Sequence, residues 1–219
     1  MSAAEPPADQ RAQRLAKVEA LRARGVDPYP VRFDRTLTVA EMRDRYDAQL
    51  EAGQELDAPE RVAGRLMLIR RQGKLTFATM RDGTGSIQLF VSDDGLGEAG
   101  HNEFDQLDLG DWVGVEGAPM KTKRGELSVK VTAFTLLSKA LRPLPDKWHG
   151  LTDIEARSRQ RYLDLIVNDR SIDLARARSR VIAELRAQFV ARGFIEVETP
   201  VLLLEATGAN AKDGGPAQP

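Results

Sequence analysis

The sequence predicts a mainly β chain with α-helical segments on both sides, and three observations carry that reading. Five β-type runs follow one another between Arg61 and Ser138, with a single weak helical stretch after the third. Apolar and polar residues alternate along these runs, as they do in strands with one buried face. Segments of helical period precede and follow them, from Gln10 to Arg24 and from Asp173 to Arg192. Five strands with a helix inserted after the third is the order of an OB-fold, a small Greek-key barrel.

Residues 1–9 are small, acidic and proline-bearing and are expected to be disordered. The helix that follows places Leu15, Val18 and Leu21 on an apolar stripe, with Arg11, Arg14, Lys17, Arg22 and Arg24 against one acid, Glu19, and Gly25 just past its end. Such a basic face is either merely solvated or lies along phosphates. Asp27-Pro28-Tyr29-Pro30 forbids further helix, because proline lacks an N–H and pushes its predecessor toward extended geometry. Thr38 then caps a short helix from Val39 to about Glu51.

The expected strands are Arg61 to Arg70, Lys74 to Arg81, Ser86 to Ser92, Trp112 to Met120 and Glu126 to Leu137, with the weak helix near Asn102 to Leu107. In the first, Val62, Leu66 and Leu68 alternate with Arg65 and Met67; in the last, Leu127, Val129 and Val131 alternate with Glu126, Ser128 and Lys130. Asp82-Gly83-Thr84-Gly85 reverses the chain between the second and third. With Ala78, Met80, Ile87, Leu89 and Val91 inward, Phe77 and Gln88 share the outer face. A ring beside an amide suits an unstacked base, which stacks on one and is read by the other. A register one residue off instead buries Phe77 with Leu75 and leaves Gln88 as ordinary surface, and both registers are open at this level.

Oligonucleotides bind OB-folds across strands two and three and the loops joining strands one to two and four to five. Those loops here are Arg70-Arg71-Gln72-Gly73-Lys74 and Lys121-Thr122-Lys123-Arg124-Gly125, and both are basic. Cationic loops around an exposed ring supply the two terms, backbone neutralisation and stacking, on which single-strand binders depend. Glu126, outward-facing beside the second loop, can accept a hydrogen bond from a base.

After the barrel, Arg142-Pro143-Leu144-Pro145 is a stiff connector, and Glu155 to Asn168 reads as helical. From Asp173 to Arg192 an amphipathic helix sets Leu174, Val181, Leu185 and Phe189 on one stripe and ends at Gly193. Phe194 to Glu198 alternates as a strand before Thr199-Pro200 breaks it. One helix and one strand cannot bury their own apolar faces, so a partner chain or a further domain is implied.

Among 219 residues, 42% are hydrophobic, enough for a real core, and the formal net charge is -1. Nucleic-acid affinity therefore depends on where the charges lie. Every charged residue from Arg61 to Arg81 is basic, and every one from Asp93 to Glu116 is acidic. There is no cysteine, which excludes disulfides and thiolate metal sites. No run is long and apolar enough to span a membrane and no signal peptide is visible, so a cytoplasmic protein is expected. No P-loop or HExxH is present, and neither His101 nor His149 has a neighbour that suggests a triad.

The segment from Arg61 to Val201 resembles a bacterial lysyl-tRNA synthetase, a class II enzyme. The likeness rests on GKLTFATMRDGTGSIQLFVS, KTKRGELSV, SKALRPLPDKWHGL and EARSRQRYLDLI, and on RSRVIAELRAQFVARGFIEVETP at 178–200, which looks like motif 1, the helix and strand of the dimer interface. It implies that the barrel grips a tRNA anticodon loop, with Phe77 stacking on a central base and Gln88 and Glu126 hydrogen-bonding to bases. Arg65, Arg70, Lys74, Lys123 and Arg124 are assigned to the RNA backbone by position and charge. Arg161 to Leu165 falls in the hinge between domains. Leu185, Phe189, Phe194 and Pro200 fall in the interface of a homodimer or heterodimer.

The resemblance implies residues 60–140 as the anticodon-binding domain, 10–59 as N-terminal helices and linker, 141–170 as hinge, 171–202 as part of a catalytic domain and 203–219 as a disordered tail. Motifs 2 and 3, which in the family hold ATP, magnesium and lysine, are not found in LLEATGANAKDGGPAQP at the end. The expectation is a chain truncated after motif 1, without catalytic residues, cofactor or metal of its own, and unable by itself to ligate lysine to tRNA. A free-standing RNA-binding regulator, or the heterodimer partner of a synthetase, is the alternative.

Overall fold

In the computed structural model, residues 8–145 and 151–199 are described. Five strands, β1 (Glu60–Gln72), β2 (Leu75–Arg81), β3 (Ser86–Ser92), β4 (Trp112–Lys121) and β5 (Leu127–Ser138), close into a barrel in the order β1-β2-β3-β5-β4. Only β3 and β5 pair in parallel; the other neighbours are antiparallel. This is the OB-fold. Val62, Leu66, Met80, Ile87, Leu89, Val91, Val113, Val115, Leu127, Val129 and Val131 fill its interior, and the period-2 pattern of the sequence is what puts them there.

Leu68 is an exception to the expected alternation. A bulge between Leu66 and Leu68 shifts the phase of β1, so Leu68 pairs with Thr79 on the outer face while Ile69 pairs with Ala78 and packs on the core. The same shift sets Arg70 directly opposite Phe77. A second bulge, between Glu116 and Gly117, brings β4 so close to β5 that a Cβ at Gly117 would meet the Lys130 carbonyl at 2.1 Å.

The helix between β3 and β4 is longer than expected. α3 (Asp93–Asp105) starts directly after β3, with the Ser92 hydroxyl accepting from Gly95 N and a kink at Gly97 (φ 72°). Three glycines hide this helix from propensity, and packing restores it: Phe104 is fully buried, with its ring edge-on to Phe134. His101, expected to stand alone, joins α3 to β2, its Nδ1 2.6 Å from Asp93 Oδ1 and its Nε2 3.0 Å from Thr76 Oγ1. Thr76 is fully buried and donates to Asp105, so the chain of contacts fastens the helix.

α1 (Ala8–Ala23) takes in the last two residues of the segment expected to be disordered; the rest of that segment lies outside the described residues. Its docked face is not the expected Leu15, Val18 and Leu21. Val18 is buried and Leu21 half-buried, but Leu15 is exposed and Arg14 takes its place, donating to the carbonyls of Leu109, Ala140 and Arg142. Lys17 bonds to Gln106 O and Asp108, and Arg24 pairs with Glu103. These cations hold the helix on the acidic stretch. Lys139, almost fully buried, lies between Asp108 (2.6 Å) and Asp111 (2.9 Å) beneath them.

α2 (Val39–Tyr46) has the expected Thr38 cap, as a capping box with Glu41, but ends one turn early. Val39, Met42 and Tyr46 enter the core. The β2–β3 turn meets its N-terminus: Asp82 accepts from Val39 N (2.9 Å) and Thr84 Oγ1 from Ala40 N (3.0 Å).

Residues 139–145 form the expected irregular connector. The helical stretch beyond is two helices, not one: α4 (Ile154–Arg159) and α5 (Arg161–Val167) are separated by Gln160, whose φ of -111° and ψ of 52° leave the helical region. Asp164 is fully buried and bonded by Arg157 (2.8 Å) and Arg161. His149 lies outside the described residues, as do Pro200 and the tail at 203–219.

A second unit begins at Asn168. It carries α6 (Asp169–Ala191), which stops at Gly193 (φ 84°), where Phe194 N returns to Phe189 O and the two rings meet edge to face. Residues 194–199 do not form the expected strand. A strand exists only through hydrogen bonds to a neighbour, and the described residues of this unit supply none. Leu174, Val181, Leu185, Phe189 and Phe194 are all more than half exposed. No helix among the described residues is long and apolar enough to cross a membrane.

Candidate nucleic-acid interface

The alternation in β2 and β3 sends Ala78, Met80, Ile87, Leu89 and Val91 inward, so Phe77, Gln88 and Phe90 stand on the outer face. The register is therefore the one that leaves Phe77 accessible. Phe77 and Phe90 are directly paired across the strands, with ring centroids 5.6 Å apart and planes at 77°. In an edge-to-face pair one ring meets the other's face with its edge, so the pair does not cover both faces of either ring.

A cleft of about 600 Å³ opens over these rings. Arg70 and Gln72 border it from the end of β1, and Lys121, Lys123 and Arg124 from the β4–β5 turn. Gly73 (φ 64°) and Gly125 (φ 84°) make the two turns, using left-handed conformations that cost other residues a steric penalty. Arg70, Lys123 and Arg124 are exposed and form no ion pair among the described residues. Lys121 differs: its ammonium is held by Asp47 (2.9 Å) and the carbonyls of Asp47 and Leu50. Three uncommitted cations over an aromatic floor match an electrostatic groove with a stacking platform.

Gln88 is held by a short relay. Its Nε2 donates to Ser128 Oγ (3.0 Å), and that hydroxyl, fully buried, donates to Glu126 O (3.2 Å). The relay fixes the amide and leaves its Oε1 as an acceptor. Glu126 lines the cleft with a half-exposed carboxylate whose one charged neighbour among the described residues is Arg43, at 3.6 Å.

Of the eight residues expected to touch nucleic acid, Phe77, Gln88, Glu126, Arg70, Lys123 and Arg124 converge on this cleft. Arg65 and Lys74 do not. Arg65 lies in the middle of β1, with its guanidinium over the Trp112 ring (5.2 Å) and bonded to Gly110 O. Burial lowers its pKa from the ordinary arginine value, against the opposing field of Asp111. Lys74 is exposed on the β1–β2 turn, outside the lining. Arg71 points the other way, to Asp105 and the carbonyl of Leu107, and fastens α3.

Sequence reasoning passed over Phe90 and Arg43. Phe90 was legible, since it is two residues from Gln88 and shares its face. Arg43 was not, because its place depends on how α2 docks. Among the described residues no group of three or more His, Asp or Glu is arranged to hold a metal ion, and no magnesium site is assigned.

Comparison with known proteins agrees with this fold. Residues 60–137 match the family model of the OB-fold nucleic acid binding domain that includes tRNA anticodon binders, and residues 153–213 match that of class II tRNA synthetases (D, K and N). The chain is 49% identical over 205 residues to a lysine-tRNA ligase of Streptococcus thermophilus and, over the same length, to one of Enterococcus faecalis. A lysine-tRNA ligase of Streptococcus pneumoniae is 49% identical over 206 residues. Each alignment covers 93% of this chain and 41% of the relative, so the chain spans about two fifths of the length of the curated relatives it matches.

Proposed function

Because the chain is a homologue of the lysine-tRNA ligases, with an OB-fold anticodon-binding domain and part of the class II synthetase domain, we propose that its barrel binds the anticodon loop of a lysine tRNA. The carrying observation is the cleft itself, in which Phe77, Gln88 and Glu126 converge beneath Arg70, Lys123 and Arg124. Phe77 is the stacking platform, and the three cations neutralise the loop phosphates. Lysine codons are AAA and AAG, so the anticodon is rich in uridine. Uracil offers an imino N–H between two carbonyl oxygens. Gln88 both donates and accepts, and Glu126 only accepts, which suits that edge.

The test is binding of the full chain to an RNA hairpin carrying the lysine anticodon loop. Phe77→Ala is expected to weaken it by about 1–3 kcal/mol, the worth of one base on one ring. Lys123→Ala is expected to weaken all RNA hairpins alike and to lower the salt slope by about 1. Affinity unchanged by Phe77→Ala would refute the reading. A second chain completes the molecule: the exposed Leu174, Val181, Leu185 and Phe189 stripe of α6 supports association through that helix.

A further inference from the structure

Among the described residues, the ion-pair partner of Glu126 comes from outside the barrel. Arg43 lies on α2, four residues after Val39 and next to Met42, both fully buried. The helix beneath it is fixed twice, by those core residues and by the Asp82 and Thr84 contacts at its first turn. Its guanidinium therefore starts from a rigid base. Nε and Nη2 both donate to Ser86 O, at 3.2 and 2.7 Å, and Nη2 faces Glu126 Oε1 at 3.6 Å.

The sheet explains why an arginine fits there. β3 and β5 pair in parallel from Gln88 and Ser128 onward, and Ser86 and Glu126 each lie two residues before that pair. The ladder has not begun at this level. Arg43 spans the opening, using one strand's carbonyl as an anchor and facing the other strand's carboxylate. It does not line the cleft, whereas Glu126 does.

We infer that Arg43 is a positioning residue for base selection: it holds the Glu126 carboxylate at the cleft wall as an acceptor for a base N–H, and so ties that recognition to the docking of α2. The inference rests on the proposed anticodon function and names a determinant within that site. A direct phosphate contact fits Arg43 less well, because two of its donors are occupied by Ser86 O and its exposed side faces a carboxylate. A carboxylate held in place accepts more strongly than one free to rotate, because its ordering cost is already met.

The experiment measures the affinity of the full chain for two RNA hairpins, one with uridines in the loop and one in which N3-methyluridine replaces them singly, removing the imino donor. At the position read by Glu126 the native chain should prefer uridine by about tenfold, as expected for one hydrogen bond to a charged acceptor. Arg43→Gln should cut that preference to about two- to threefold while leaving the methylated hairpin's affinity unchanged. In a Glu126→Gln background, Arg43→Gln should change nothing further. Arg43→Lys returns the charge and should recover most of the preference, and it serves as the deciding variant if Arg43→Gln lowers the melting temperature.

Equal weakening of both hairpins by Arg43→Gln would overturn the inference in favour of a phosphate contact. So would full additivity with Glu126→Gln, or an Arg43→Lys variant without preference. Failure of the anticodon reading looks different: the native chain then binds neither hairpin, or Phe77→Ala changes nothing, and the inference falls with it.

Discussion

Replacing Asp82 with alanine tests the joint between barrel and α2. One carboxylate oxygen accepts from Thr84 N, Thr84 Oγ1 and Gly85 N within the β2–β3 turn, and the other from Val39 N at the start of α2. The bonds from Val39 and Gly85 are partly buried, and those from Thr84 are exposed. A hydrogen bond to a charged group contributes roughly 1.5–3 kcal/mol where water is excluded and less where it competes. Assigning about 1 kcal/mol to each of the two partly buried bonds, and little to the exposed ones, gives a loss of about 2 kcal/mol. For a chain of this size that lowers the melting temperature by about 4–8 °C. Burial raises the pKa of Asp82, but the donors from Val39, Thr84 and Gly85 outweigh it and hold the carboxyl below its ordinary value. A carboxyl whose folded pKa is depressed stabilises above its unfolded pKa, about 3.9, and that stabilisation is lost as pH falls through the folded pKa. Urea unfolding followed by circular dichroism should show a constant gap between native and Asp82→Asn from pH 5 to 8 that narrows below about pH 4. An Asp82→Ala variant within about 0.5 kcal/mol of native at pH 7, or a gap unchanged in acid, would refute the account.

Lys139→Met should destabilise the barrel by about 3 kcal/mol, toward the low end for one-sided removal of a buried pair. Asp111, fully buried, loses its ammonium but keeps the donors Asp108 N and Ala140 N. Urea unfolding measures it, and a loss under about 1 kcal/mol would mean that the buried pair adds little. Leu185→Asp with Phe189→Asp should shift the chain to a smaller mass in light scattering, because both are more than half exposed on the α6 stripe; a native chain already monomeric at high concentration would end that reading.

Most of the barrel was legible because its strands obey one rule strictly. Wherever an inward apolar set recurs every second residue, as in Leu127, Val129 and Val131, sequence and structure agree. The rule fails where something non-local intervenes. The β1 bulge is a property of two strands together, so Leu68 looks inward in sequence and is not. The first part of α3, before Asn102, looks like a loop because of its glycines and is helical in a segment that buries Phe104 and His101. Residues 194–199 alternate like a strand, yet alternation describes faces and not the hydrogen-bonding neighbour that makes a strand.

The charges follow the same division, and they explain which cations stay available around the cleft. Sequence showed basic and acidic stretches but not which cations would be neutralised. Folding consumes those that face the acidic stretch: Arg14, Lys17, Arg24 and Arg71 hold α1 and α3, and Lys139 is buried beneath them. Arg65 is taken by Trp112 and Gly110. What remains without an ion pair around the aromatic floor, among the described residues, is Arg70 at the end of β1 and Lys123 and Arg124 on the β4–β5 turn. A chain of net charge -1 thus keeps a cationic cleft, because acids such as Asp108, Asp111, Glu103 and Asp105 pair with cations elsewhere on the barrel domain.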